Sequence, residues 1–200
     1  MAYLKIGNRI PIEYFYTAGK GQSDYGGKGL PFEAGAYDAA LTEAKIEQGN
    51  IVLYSSLIPP EAKEITREKA LKKMHWGNVV ESILAKMTGT KGQHINASVL
   101  TTQIYNPKKE YKGTFVCEYA GYGNATAARN TLIHDVAEMV ERRGWGTING
   151  KAQLHKLNKT SKGWYFKPHR FHGENLIVTK KFGACLAGLC FTEYAVPLSV

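Results

Sequence analysis

An α+β fold is predicted by three observations. Runs rich in β-branched and aromatic residues occur in clusters, segments of helical period lie between those clusters, and 200 residues suffice for one substantial core. We therefore expect a single domain over residues 1–200. The first element is a strand over 14–18, ending at a glycine-rich loop over 19–29. The glycines of that loop match neither G-x-G-x-x-G nor G-x-x-x-x-G-K-[ST], so no phosphate cradle is expected there. A short helix over 38–46 places Ala40, Leu41, Ala44 and Ile46 on or near one face. Residues 50–57 form a strand, stopped by Pro59-Pro60 because proline removes a donor and biases the residue before it.

Helical segments are expected over 65–74 and 79–86, with a turn at 89–92. Residues 95–105 alternate Ile95, Ala97 and Val99 as a half-buried strand does. Residues 111–119 are its neighbour, joined by a hairpin connection at Asn106-Pro107-Lys108-Lys109. The longest helix starts near Thr126, carries Leu132, Ile133, Val136, Ala137, Met139 and Val140 on its apolar face, and stops at Gly144. Strands over 176–179 and 184–191 complete the sheet system.

The formal charge is +9, and much of the basic excess falls between Lys151 and Lys181, where Glu174 is the single acid. Trp164, Tyr165, Phe166 and Phe171 are interleaved, a pattern that can stack bases. No nucleic-acid motif accompanies it, so a solvated insertion anchored by a few aromatics is expected, with no nucleic-acid partner. No apolar run is long enough for a membrane helix, and residues 1–6 lack the apolar core of a signal peptide, so a cytoplasmic protein is expected. Cys117, Cys185 and Cys190 are odd in number, lie in apolar contexts and form no C-x-x-C, which fits buried reduced thiols. His169 and His172 have no acidic or cysteine partners at ligand spacing; they read as hydrated surface histidines, and no metal site is expected.

Ser55 and Ser56 stand at the end of the run Asn50-Ile51-Val52-Leu53-Tyr54 and just before Leu57-Ile58-Pro59-Pro60. On local chemistry a serine pair is a common turn former. The same placement suits a backbone that cuts itself and turns a serine into a carbonyl group. Asn50 on its own caps the turn before the strand, Asp38 is a helix N-cap, and Glu118 is a glutamate on an alternating strand. The block from Ala36 through Asp38 and Asn50 to Ser55-Ser56 closely resembles the self-processing region of the pyruvoyl-dependent arginine decarboxylases, in the order and spacing of its Asp, Asn and Ser-Ser. Gly19 to Asp24, Pro31-Phe32-Glu33, Cys117-Glu118-Tyr119, Arg143-Gly144-Trp145 and Lys181 to Cys185 resemble further landmarks of that family, so the likeness covers most of the chain.

The resemblance implies a four-layer αββα sandwich assembled as a trimer, with active sites between protomers. It implies cleavage between Ser55 and Ser56 into a β chain, 1–55, and an α chain, 56–200, that begins with a covalent pyruvoyl group made from Ser56. In the family the residue matching Asn50 assists the cleavage, and a Schiff base between the pyruvoyl group and L-arginine leads to agmatine and CO2. Glu118 matches the proton donor, and Asp38 matches the aspartate that contacts the guanidinium. Members can carry a second acid where this chain has Ala120. A role in polyamine synthesis or acid tolerance follows from the family. Two rivals stand beside this reading: the same cofactor acting on lysine, ornithine or histidine, and an unprocessed, non-enzymatic member whose basic segment binds an acidic partner.

Overall fold

The computed structural model describes residues 8–25, 33–148 and 150–197. Among the described residues, ten strands make two five-stranded sheets. The first has the order β2 (Asn50–Leu53), β5 (Val79–Thr90), β10 (Phe182–Ala195), β1 (Ile10–Ser23) and β4 (Lys63–Glu64). The second has the order β3 (Leu57–Ile58), β7 (Tyr111–Tyr122), β6 (His94–Tyr105), β9 (Tyr165–Ile177) and β8 (Asn158–Lys159). Ile83, Cys185, Leu189 and Phe191 of the first sheet meet Ile95, Ala97, Val99 and Val116 of the second in a core between the sheets.

Each sheet is covered on its outer face by a helix. Ala36, Ala40 and Ala44 of α1 (Glu33–Ala44) pack with Phe15, Leu186 and Cys190 of the first sheet. Leu132, Val136 and Val140 of α3 (Ala125–Arg142) pack with Leu100, Ile104, Phe115 and Phe166 of the second. Asn124 caps α3, its side chain accepting from the Ala127 amide. The stacking order is helix, sheet, sheet, helix, because each sheet has two apolar faces to remove from water. A third helix, α2 (Arg67–Leu71), is a single short element capped by Thr66.

Five sequence expectations are corrected. Residues 79–86 are strand, not helix: Glu81 to Leu84 are all buried, Ile83 against the facing sheet and Val80 and Leu84 beneath α1. A strand buried on both faces has no polar alternation by which to recognise it. The glycine-rich loop does not begin at Gly19, because β1 continues to Ser23. A Cβ on Gly19 or Gly21 would lie 2.1 Å from the Ala40 carbonyl oxygen or 2.4 Å from that of Ala36, so these glycines let α1 lie directly on the strand. Residues 26–29 of the expected loop fall outside the described residues.

The basic segment is not a solvated insertion. β9 pairs with β6 from Tyr165 to Ile177, Phe166 is fully buried, and Trp164 stacks on Trp145 at 4.1 Å. Pro168 disguises this strand; it sits at the register shift opposite Thr102, where a bulge tolerates it. His172 is consequently half-buried, edge-on to Tyr16 at 5.4 Å, with Nε2 unpartnered; burial lowers its pKa. Finally, 50–57 is not one strand. β2 belongs to the first sheet and β3 to the second, and the serine pair lies in the step between them.

Candidate active site

The step from β2 to β3 is held at both ends. The Tyr54 amide donates to the Ser82 carbonyl at 2.7 Å, the last link to β5, and the Ser56 carbonyl accepts from the Val116 amide at 2.9 Å, the first link to β7. Between them, the Leu57 amide donates to the Ser55 carbonyl at 2.9 Å. This closes a three-residue turn with Ser56 at its centre. The carbonyl between the two serines is thus polarised by a backbone donor, and any negative charge developing on its oxygen meets that donor already in place.

Glu118 comes to the turn from β7, two residues beyond Val116 and on the same face of the strand. The Ser56 hydroxyl donates to its Oε2 at 3.3 Å. Glu118 as a residue is exposed, yet its carboxyl is crowded by protein at the mouth of the gap between the sheets. That burial raises its pKa, opposed by the hydrogen bond from Ser56. A carboxyl that keeps its proton further toward neutral pH is suited to donate one. Next to the turn lies a pocket of about 490 Å3, walled by Leu53, Ser55, Ile58, Phe115 and Trp145. Cys117 packs behind Glu118, and burial pushes its thiol up to about 12; all three cysteines are free and buried.

The two remaining expected site residues are placed elsewhere in this chain. Asn50 opens β2, and its side-chain amide donates to the Gly77 carbonyl at 2.8 Å. Ser55 is five residues on, up to about 16 Å along an extended strand. Asp38 is exposed on α1, five residues inside a helix that begins at Glu33, so it is not the N-cap. That helix lies on β1 and β10, on the outer face of the first sheet. Among the described residues, neither Asn50 nor Asp38 bonds to Ser56 or Glu118. The Leu57 amide is a functional group that sequence reasoning missed, since no side-chain motif announces a backbone donor.

The family model described as pyruvoyl-dependent arginine decarboxylase matches residues 13–196. The pyruvoyl-dependent arginine decarboxylase AaxB of Chlamydia trachomatis serovar L2 is 32% identical over 198 residues, covering 96% of this chain and 95% of the relative. AaxB of Chlamydia pneumoniae is 31% identical over 199 residues, covering 97% of this chain and 95% of the relative. A pyruvoyl-dependent arginine decarboxylase of Thermoplasma volcanium is 26% identical over 128 residues, 64% of this chain and 65% of that protein. The likeness thus runs through both sheets and through the serine turn, and the chain belongs to the pyruvoyl-dependent arginine decarboxylases, a family of decarboxylases whose cofactor is a covalently held pyruvoyl group.

Proposed function

We propose that this chain is one domain that cleaves itself between Ser55 and Ser56, and that the processed protein converts L-arginine to agmatine and CO2. The observation that carries the reading is the serine turn: a hydroxyl in contact with Glu118, beside a carbonyl that already accepts the Leu57 amide. The residues present fit the group they would form. Ser56 Oγ adds to the Ser55 carbonyl carbon, the C–N bond breaks, and the hydroxyl proton passes to the Ser56 nitrogen, leaving an ester. Loss of the Ser56 α-proton and cleavage of its Cβ–Oγ bond release a Ser55 carboxylate and leave a dehydroalanine. One water then replaces the nitrogen, which departs as ammonia.

The pyruvoyl group supplies an electrophilic carbonyl and an electron sink for loss of the substrate carboxylate. The chain's own residues do the rest. Glu118 holds a proton for the substrate α-carbon, and its raised pKa supports that role. Asp38 offers a carboxylate to the planar guanidinium, a pairing that favours arginine over shorter or uncharged side chains. Asn50 donates its amide to the oxyanion of the cleavage step.

Asp38 and Asn50 reach a serine turn when a neighbouring copy supplies them, and we propose a trimer of αβ units on that ground. Exposed apolar side chains support it: Leu53, 65% exposed, and Leu57 flank the turn, and Val52 and Val79 continue the apolar surface along β2 and its neighbour β5. Among the described residues no helix is long and apolar enough to cross a membrane. We place the reaction in the cytoplasm, in keeping with three unpaired buried cysteines. Intact mass under denaturing conditions tests the reading. Fragments for 1–55 and 56–200, the larger lighter by one ammonia than plain hydrolysis would leave it, are expected. A single full-length species overturns it, and turnover with a panel of amino acids separates arginine from lysine, ornithine and histidine.

A further inference from the structure

Tyr54, the residue before the serine pair, is anchored by its side chain as well as its backbone. Its ring lies 5.6 Å from that of Phe191, and its hydroxyl belongs to a cluster centred on Glu81 of β5. Glu81 stands beside Val52 in the β2–β5 register and is 7% exposed. Burial would raise its carboxyl pKa, but hydrogen bonds from Tyr194 and Tyr54, together with the Arg9 guanidinium, outweigh this and hold it below the usual carboxylate range. Arg9 pairs with Glu81 directly and lies 4.7 Å over the Tyr194 ring. The result is a buried carboxylate with three partners, one strand away from the cleavage junction.

Stability alone is a poor reason to keep such a cluster, because well-packed apolar side chains stabilise a core as well as a buried ion pair does. Its members are also divided by the junction: Arg9 and Tyr54 precede the scissile bond, while Glu81 and Tyr194 follow it. On the far side of the turn, the Ser56 carbonyl and Leu57 are tied to β7. Ser55 and Ser56 are therefore strung between two fixed points, one of which is this cluster. We propose that Glu81, with Arg9, Tyr54 and Tyr194, positions the cleavage junction: it holds the Ser55 carbonyl in reach of Ser56 Oγ before the bond breaks, and keeps the freed Ser55 end docked afterwards. The proposal rests on the self-cleavage reading above. These are positioning residues, acting through Tyr54 on a bond they do not touch.

The test is a time course of fragment formation after cell-free synthesis of the full chain, for wild type, Glu81→Gln, Tyr54→Phe and Glu13→Gln, with thermal midpoints measured alongside. Glu13→Gln weakens an ion network with Lys69 and Lys73 around α2 and supplies a loss of stability away from the junction. Glu81→Gln and Tyr54→Phe are expected to slow cleavage tenfold or more, while Glu13→Gln cleaves at the wild-type rate. Hydroxylamine, which splits esters, is expected to recover little fragment from Tyr54→Phe, because the impaired step is ester formation. Wild-type cleavage rates in both junction variants, equal slowing in Glu13→Gln, or full recovery with hydroxylamine would each overturn the positioning role. Should Glu81→Gln fail to fold, Tyr54→Phe still decides, since it removes one hydroxyl and leaves Glu81 bonded to Tyr194 and Arg9. If wild type itself never cleaves, the self-cleavage reading fails first, and that failure is distinct from these.

Discussion

Replacing Glu118 by glutamine separates the two reactions assigned to this site. The Ser56 hydroxyl donates to Glu118 across 3.3 Å, a long bond, and a glutamine carbonyl still accepts it, so the turn keeps its shape. Losing the charged acceptor costs folding at most about 1 kcal/mol. What glutamine cannot do is give a proton to carbon. A positioned general acid contributes about 10²- to 10⁴-fold, so kcat for the cleaved variant is expected to fall by about 3 to 5 kcal/mol of barrier. The assay is carbon dioxide release from labelled arginine by protein whose cleavage has been confirmed by mass. Turnover within tenfold of wild type would refute the assignment of Glu118 as proton donor. The same carboxyl sets a sign for stability. Its folded pKa is raised by burial, so between the ordinary carboxylate value and the raised one the native state keeps a proton that the unfolded chain releases. Stability contributed by this group is therefore lost as pH rises through that window. Glu118→Gln should lack that loss, which denaturant midpoints measured at a series of pH values would register.

Three further outcomes follow from the same geometry. Ser56→Ala removes the attacking oxygen and is expected to leave a single full-length chain, read by denaturing electrophoresis. Asp38→Asn keeps the shape of a solvent-exposed helical residue while removing the counter-charge of a guanidinium; kcat/KM for arginine is expected to fall by about 2 to 4 kcal/mol, and comparable turnover would take Asp38 out of the site. Gly19→Ala places a Cβ 2.1 Å from the Ala40 carbonyl oxygen, backbone that cannot give way cheaply, and is expected to destabilise by roughly 1 to 3 kcal/mol or more in urea titration.

How far the sequence could be read depended on whether an element keeps one face in water. The α3 helix shows its apolar stripe, Leu132, Val136 and Val140, because its other side is solvated. β6 and β7, with the Asn106 hairpin between them, were likewise legible from alternation and turn chemistry. β5 was not, being buried on both faces, nor β9, whose Pro168 and lysines disguise a strand paired along its whole length. Local pattern places the start of α1 five residues late, which makes Asp38 a cap when it is an exposed interior position of the helix. At the site, Ser56 and Glu118 were named from the likeness to the family and lie in contact. The Leu57 amide and the Glu81 cluster were invisible, one because backbone donors leave no trace in residue type, the other because its members span positions 9 to 194.

By itself the sequence determined the chemistry on offer: a serine pair before a proline stop, a glutamate in an apolar strand, thiols in apolar surroundings, and the family whose spacing these match. Local composition and order are enough for that, since they are what such motifs consist of. Only the tertiary structure decided that Ser55-Ser56 lies in the step from one sheet edge to the other, clamped by hydrogen bonds on both sides, with Glu118 brought across 62 positions to the hydroxyl of Ser56. Such closeness arises from strand register and from the stacking of two sheets, and both are set by long-range burial of apolar surface that no local pattern encodes.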